Sequence, residues 1–169
     1  SNENGIQIIS SGEIKKQSVG AGNNFTETFC TNEIREVLTT ENFKGLAFRE
    51  VIIQRSRKKD APPVWQIWSQ DEMPLMKSKK SDSKGRIIEL DDDDCSGYYV
   101  DDIFIPRLVK YDKSLLTELQ GIDVIRSVEQ FGGGVKRSKR TPLLFGSKRF
   151  REWCTKKKLP FSWVPVEFS

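Results

Sequence analysis

The densest group of reactive side chains in this sequence is a run of carboxylates. Asp91–Asp94 are four consecutive acids, and Asp101 and Asp102 follow within the same stretch. Clustered carboxylates can ligate hard cations such as Mg²⁺ or Ca²⁺, although this run lacks the glycine and the final glutamate of an EF-hand loop. Such a cluster also concentrates negative potential on a protein surface. The run is therefore open to two interpretations, as the metal centre of a carboxylate enzyme or as a binding surface.

A second chemical pattern overlaps this run. Tyr99-Val100-Asp101-Asp102 matches the Y-x-D-D string in which a polymerase hairpin presents two carboxylates to divalent metal ions. A polymerase also needs a further metal-binding carboxylate and additional subdomains, for which 169 residues leave no room. We interpret this match as accidental.

The composition excludes much of the usual catalytic chemistry. The chain has no histidine, which rules out a Ser-His-Asp or Cys-His relay and any His-ligated metal. Its cysteines, Cys30, Cys95 and Cys154, are far apart and never form a C-x-x-C pair, so they predict free thiols in a reducing compartment. We therefore predict a protein that is not an enzyme and has neither a cofactor nor a metal site.

Positive charge is concentrated elsewhere in the chain. The segment 136–158 holds ten basic residues and one acid, Glu152, although the net charge of the whole chain is only +4. Lys and Arg clusters bind nucleic-acid phosphates, and Phe145, Phe150 and Trp153 lie among these charges. Those aromatic residues occur at the spacing of a buried helix face, which disfavours base stacking. A nucleic-acid-binding module that uses this basic third remains an alternative.

These groups must be positioned by short helices and strands. Residues 1–28 are polar and predict at most one strand, followed by a loop, ahead of a single α+β domain over residues 29–169. Thr31 is placed to cap a helix with the apolar stripe Ile34, Val37 and Leu38. Alternating or β-branched patterns predict strands at Leu46–Gln54, Val64–Trp68, Ile87–Leu90, Tyr98–Ile105 and Phe161–Val166.

Three further helices are predicted from apolar spacing. The first carries Leu115, Leu116 and Leu119 on one face and ends at Gly121. The second is capped by Asp123 and buries a stripe at helical spacing, Val124, Val128 and Phe131. In the third, Ser147 is the cap and the buried positions are Phe150, Trp153 and Cys154.

The last helix and strand resemble the first helix and strand of the chain. Ser147 aligns with Thr31, and the segment 150–154 aligns with 34–38. With a gap of one residue, Phe161, Trp163 and Val166 then align with Leu46, Phe48 and Val51. We therefore predict an α+β fold with a mainly antiparallel central sheet, a few short helices and two related helix–strand units.

The same segments carry a family resemblance. Gly45–Val51, which reads GLAFREV, and Pro160–Val166, which reads PFSWVPV, resemble the Imm11-type (DUF1629) immunity proteins and the related double-CXXCG proteins. The terminal pattern from Ser147-Lys148-Arg149 to Pro165-Val166 is similar to the end of those chains. The CXXCG cysteines are absent, so no metal site carries over. The resemblance implies a bacterial cytoplasmic antidote that binds and blocks a cognate toxin.

Under this interpretation the acidic run becomes the predicted contact surface. Toxins that attack nucleic acid have basic clefts, and carboxylates can occupy the positions of phosphates in such a cleft. We expect exposed aromatic residues beside the acids to anchor the contact. The predicted partner-binding residues are Asp91, Asp92, Asp93, Asp94, Asp101, Asp102, Trp65, Trp68 and Tyr98. No window is apolar enough for a membrane span, and we predict a cytoplasmic protein without a membrane partner.

Overall fold

A computed structural model describes most of the chain. The described residues are 7–10, 19–21, 28–54, 63–77, 87–92, 95–100, 109–131, 141–159, 161, 163 and 166–169. They form eleven strands and three short helices, arranged as a five-stranded sheet, a four-stranded sheet and a two-stranded ribbon. Five of the strand pairings are antiparallel and three are parallel. The predicted α+β class is confirmed, but the strands divide between two main sheets.

The five-stranded sheet has the order β1-β4-β5-β3-β2. Its strands are β1 (Gln7–Ser10), β2 (Val19–Ala21), β3 (Thr28–Thr31), β4 (Ala47–Gln54) and β5 (Val64–Trp68). The predictions for β4 and β5 are confirmed, since both are rich in β-branched and aromatic residues. The segment 1–28 supplies both edge strands, β1 and β2, where at most one strand was predicted.

The four-stranded sheet has the order β10-β9-β7-β6, and β8 pairs with β11 in the ribbon. The sheet strands are β6 (Ile87–Asp92), β7 (Cys95–Val100), β9 (Val124–Phe131) and β10 (Thr141–Gly146). The ribbon strands are β8 (Val109–Tyr111) and β11 (Val166–Phe168), which run parallel. Strand β10 was not predicted, because its segment was interpreted only as part of a basic run.

The helices are α1 (Asn32–Thr40), α2 (Leu115–Glu118) and α3 (Lys148–Lys156). The predicted cap of α3 is confirmed, because the Ser147 hydroxyl accepts a hydrogen bond from the Phe150 N–H at 3.1 Å. Thr31 occupies the cap position of α1 without such a bond. The apolar stripes predicted for α1 and α2 are each wrong at one residue, because Val37 is 39% and Leu116 is 45% exposed.

The predicted helix after Asp123 is wrong, because this segment is strand β9. Val124, Val128 and Phe131 fit a helical stripe, but along β9 the buried side chains follow a period of two. Ile125, Ser127, Glu129 and Phe131 are buried on one face of the strand. Pairing with β10 on one side and β7 on the other supplies the backbone hydrogen bonds of this strand.

The predicted strand Phe161–Val166 is wrong at Phe161 and Trp163, which are not in a strand, whereas Val166 is the first residue of β11. Residues 162, 164 and 165 lie outside the described residues. The helices of the proposed repeat do correspond, since Leu38 of α1 and its counterpart Cys154 of α3 are both fully buried in the same core. The strands of the two units differ in partner, because β4 lies in the five-stranded sheet and β11 pairs with β8. Only the helices of the two units are therefore alike.

Two apolar cores hold these layers together. The first lies where α1 and α3 pack on the five-stranded sheet, and its buried members are Cys30, Leu38, Phe43, Ile67, Val124, Phe150 and Cys154. The second lies beneath α2 and the ribbon, and its buried members are Met73, Met76, Val109, Tyr111, Leu115, Ile125 and Phe131. Strand β9 contributes to both cores and therefore joins the two halves of the molecule.

Two of the predicted free thiols are confirmed, since Cys30 and Cys154 are buried and unpaired. Burial raises the pKa of each of these thiols to about 12, and at Cys30 the charge of Arg35 opposes that shift. Both are therefore protonated and unreactive near neutral pH. In the described part of the chain, no helix has the length and apolar character needed to cross a membrane.

Candidate functional site

The structure places the beginning of the acidic run on a strand. Asp91 and Asp92 are the last residues of β6, where they pair with Ser96 and Cys95 of β7. Strand β6 therefore extends two residues beyond the predicted strand Ile87–Leu90. Asp93, Asp94, Asp101 and Asp102 lie outside the described residues.

Among the described strands, β6 is the outermost strand of the four-stranded sheet on one side. Its partner on the inner side is β7, and its register with β7 is regular from Ile87 to Asp92. Asp91 and Asp92 continue this register as its last two pairs, at the end of β6. The ladder therefore holds the backbone of the two acids in a defined position.

Among the three aromatic candidates, only Tyr98 shares this sheet. It is half-buried on β7, opposite Glu89 of β6 and beside Glu129 of β9. Trp65 and Trp68 lie on β5 in the other sheet. The predicted contact surface is thus divided between two sheets.

Trp65 is half-buried and packs against α1. Its indole N–H donates a hydrogen bond to Asn32 Oδ1 at 3.2 Å. The guanidinium of Arg35 lies over the same indole, 3.9 Å from the ring centroid. Both contacts orient Trp65 within the helix–sheet packing, and they leave only part of its surface for a partner.

Trp68 is only 8% exposed, so the predicted exposure of this residue is wrong. Two arginines from different sheets cover its ring, with guanidinium carbons 3.5 Å (Arg49) and 5.0 Å (Arg126) from the centroid. A tryptophan in such a position contributes cation–π contacts within the fold. Sequence reasoning missed this arrangement because Arg49 and Arg126 are far apart in the chain.

Helix α3 carries the described portion of the basic segment. Its outer surface and the turn after it expose Lys148, Arg149, Arg151, Lys156, Lys157 and Lys158. Glu152 is the one acid among them, and it lies 3.8 Å from the ammonium of Lys148 with both side chains largely exposed. This acid offsets only one of the six positive charges. The helix therefore presents a strongly basic face.

A buried carboxyl group lies in the second core. Glu129 is completely buried, and its Oε1 accepts a hydrogen bond from the Met76 N–H. Its Oε2 and the hydroxyl of Tyr111 are both buried in this core. Burial raises the pKa of Glu129, against the lowering effect of the Met76 N–H. Burial and the nearby Glu129 charge also raise the pKa of Tyr111.

We expect Glu129→Gln to stabilise the protein increasingly as pH rises. Because the pKa of Glu129 is raised in the folded state, the folded protein binds this proton more tightly than the unfolded chain does. The bound proton stabilises the fold below the unfolded pKa of about 4.3, and this stabilisation is lost as pH rises through the folded pKa. Glutamine keeps the Oε1 acceptor without the charge. Urea unfolding at pH 4, 6 and 8 measures the difference in the free energy of unfolding between the variant and the wild type. A difference that does not change with pH would contradict the expected effect.

The described side chains contain no group of three Cys, Asp or Glu residues arranged to hold a metal ion. The carboxylate-metal alternative depends on Asp91–Asp94 with Asp101 and Asp102, whose side chains are not among the described ones. Comparison of the chain with protein-family models, curated proteins and solved structures found no match.

Proposed function

We propose that this protein is an immunity protein, which binds a cognate bacterial toxin in a stoichiometric complex and blocks it in the cytoplasm. The observation that carries the proposal is the placement of Asp91 and Asp92 at the end of an edge strand. A backbone held in a sheet ladder loses less conformational freedom on binding than the same residues in a free loop. The resemblance to Imm11-type proteins supports the proposal independently of this geometry.

Charge complementarity identifies the kind of toxin surface that β6 suits. A cleft that binds nucleic acid is basic, so the acidic end of β6 accelerates association with it and disfavours neutral or acidic partners. Within the described residues β6 has no strand partner on its outer side, and a strand of a partner protein can pair with such an edge. Half-buried Tyr98 on the adjacent strand provides an aromatic contact on the same sheet.

If the proposal is right, the gene of the cognate toxin should lie beside that of this protein, and the test uses the toxin domain encoded there. We expect the double variant Asp91→Lys/Asp92→Lys to bind this domain at least tenfold more weakly in calorimetric titrations, because repulsion replaces attraction across the contact. Growth protection on co-expression should decrease in parallel. Thermal unfolding of the free variant should be close to that of the wild type, since both residues lie at a strand end.

A matched control changes the same number of charges at two exposed acids elsewhere in the chain. Glu118→Lys/Glu152→Lys alters α2 and α3, and we expect it to leave toxin affinity unchanged. Equal losses in the two double variants would show a general charge effect and overturn the β6 surface. The absence of any complex between the wild-type protein and the toxin domain would overturn the immunity function itself.

The second candidate function is nucleic-acid binding, which the exposed basic face of α3 favours. Binding through phosphate contacts weakens steeply as salt rises. Fluorescence anisotropy with a labelled RNA strand and a labelled DNA duplex, between 50 and 200 mM salt (about the range over which phosphate contacts weaken), separates the two functions. A steep loss of affinity supports this candidate, and no binding at the lowest salt removes it.

A further inference from the structure

The contact between the two sheets contains two arginines that meet on one tryptophan. Arg49 comes from β4 and Arg126 from β9, yet both guanidinium groups lie over the ring of Trp68. The ring is buried, so its position is set by the surrounding fold. The two like charges are therefore held near each other by packing.

The two guanidinium groups differ in how their donors are satisfied. Arg126 donates from Nε to the Ser69 carbonyl at 3.0 Å and forms an ion pair with Glu72. No acceptor or carboxylate within the described residues contacts the guanidinium of Arg49. Burial lowers the pKa of Arg49, and the charge of Arg126 lowers it further. The charged form of Arg49 is thus held at an energetic disadvantage, which a nearby anion would relieve.

We propose that Arg49 and Arg126 form a binding site for a single oxyanion, either a carboxylate or a phosphate. The N–H groups of a guanidinium lie in its plane, so stacking on Trp68 leaves the donor edge of Arg49 available to a ligand. That planar fork matches two oxygens of one carboxylate or phosphate. The Glu72 carboxylate occupies some of the guanidinium donors of Arg126 and fixes the orientation of that guanidinium. This site does not depend on the toxin-binding proposal.

The test follows Trp68 itself by fluorine NMR. The chain has four tryptophans, which 5-fluorotryptophan labels with one resonance each. Single substitutions to Phe at Trp65, Trp153 and Trp163 assign three resonances and leave the fourth to Trp68. The full-length protein is then titrated separately with inorganic phosphate and with acetate, at constant ionic strength maintained with chloride.

We expect the Trp68 resonance to shift saturably with at least one of the two anions, while those of Trp153 and Trp163 stay unchanged. A response to phosphate alone indicates a phosphorylated ligand, and a response to acetate indicates a carboxylate ligand. No saturable shift with either anion would overturn the site.

Variants of Arg49 establish that the arginine pair is responsible. Arg49→Gln should weaken anion binding at least tenfold. Arg49→Lys keeps the positive charge but lacks the planar pair of N–H donors, and it should weaken anion binding less. The matched control, Arg151→Gln, removes an exposed arginine of α3 and should leave the titration unchanged. The three other tryptophan resonances report whether each variant is folded. An unchanged Trp68 titration in a folded Arg49→Gln protein would overturn the proposal.

Discussion

Replacing Gly45 with alanine is expected to destabilise the protein by about 3 kcal/mol, through backbone strain and a clash together. Gly45 has a φ of +87°, and a Cβ atom at this position would lie 2.1 Å from the carbonyl oxygen of Val124. The loop cannot easily withdraw, because the Lys44 carbonyl accepts hydrogen bonds from the N–H groups of Asp123 and Val124. Urea unfolding measures the change.

Gly121→Ala is the matched control for this substitution. Gly121 has a similar φ of +80°, but a Cβ atom there would meet nothing within 4 Å. We expect a loss of about 1 kcal/mol from the backbone conformation alone. Equal losses at the two positions would show that the close approach of Gly45 to β9 contributes nothing to stability.

Asp123→Ala is expected to cost about 3 kcal/mol of stability, because it removes the acceptor shared by three donors. Asp123 is buried at the start of β9. Its carboxylate accepts from the Lys44 N–H at 3.1 Å, the Ser147 hydroxyl at 2.8 Å and Arg149 at 2.6 Å. One side chain thus ties the loop after α1 to the cap of α3.

Two milder variants test this account by thermal unfolding. Asp123→Asn retains one carbonyl acceptor and should lose less stability than Asp123→Ala. Arg149→Ala removes the ion-pair partner, which is 56% exposed, together with its bond to the Glu41 carbonyl and its contact with the Phe43 ring. It should cost about 1 kcal/mol, because water screens the ion pair and the other two contacts are weak. A loss in Arg149→Ala as large as that in Asp123→Ala would show that the ion pair dominates and contradict the shared-acceptor account.

Several elements were predictable because their signals are local. The β-branched and aromatic run Val64–Trp68 forms β5 over the residues predicted, and the short-range hydrogen bond from the Phe150 N–H to Ser147 caps α3 as expected. The lack of histidine restricts the chemistry whatever the fold. These features depend on residues within one or two turns of each other.

The candidate site was less predictable, because the positions of its residues depend on distant strands. Trp68 carries the same local signal as Trp65, but Arg49 and Arg126 cover only Trp68. Asp91 and Asp92 have low β propensity and suggest a loop, yet pairing with β7 extends β6 through both. Such contacts join residues that are separated in the chain, and no short window of sequence encodes them.

The sequence by itself determined the α+β class, the strands β4 and β5, the cap of α3 and the segregation of acidic from basic charge. Only the tertiary structure decided that Val124–Phe131 is a strand, because its apolar spacing also fits a helix and the choice came from pairing with β7 and β10. The tertiary structure likewise buried Glu129 and brought Arg49 to Arg126. The physical reason is that helix caps and strand propensities act over a few residues, whereas strand pairing and burial act between distant segments.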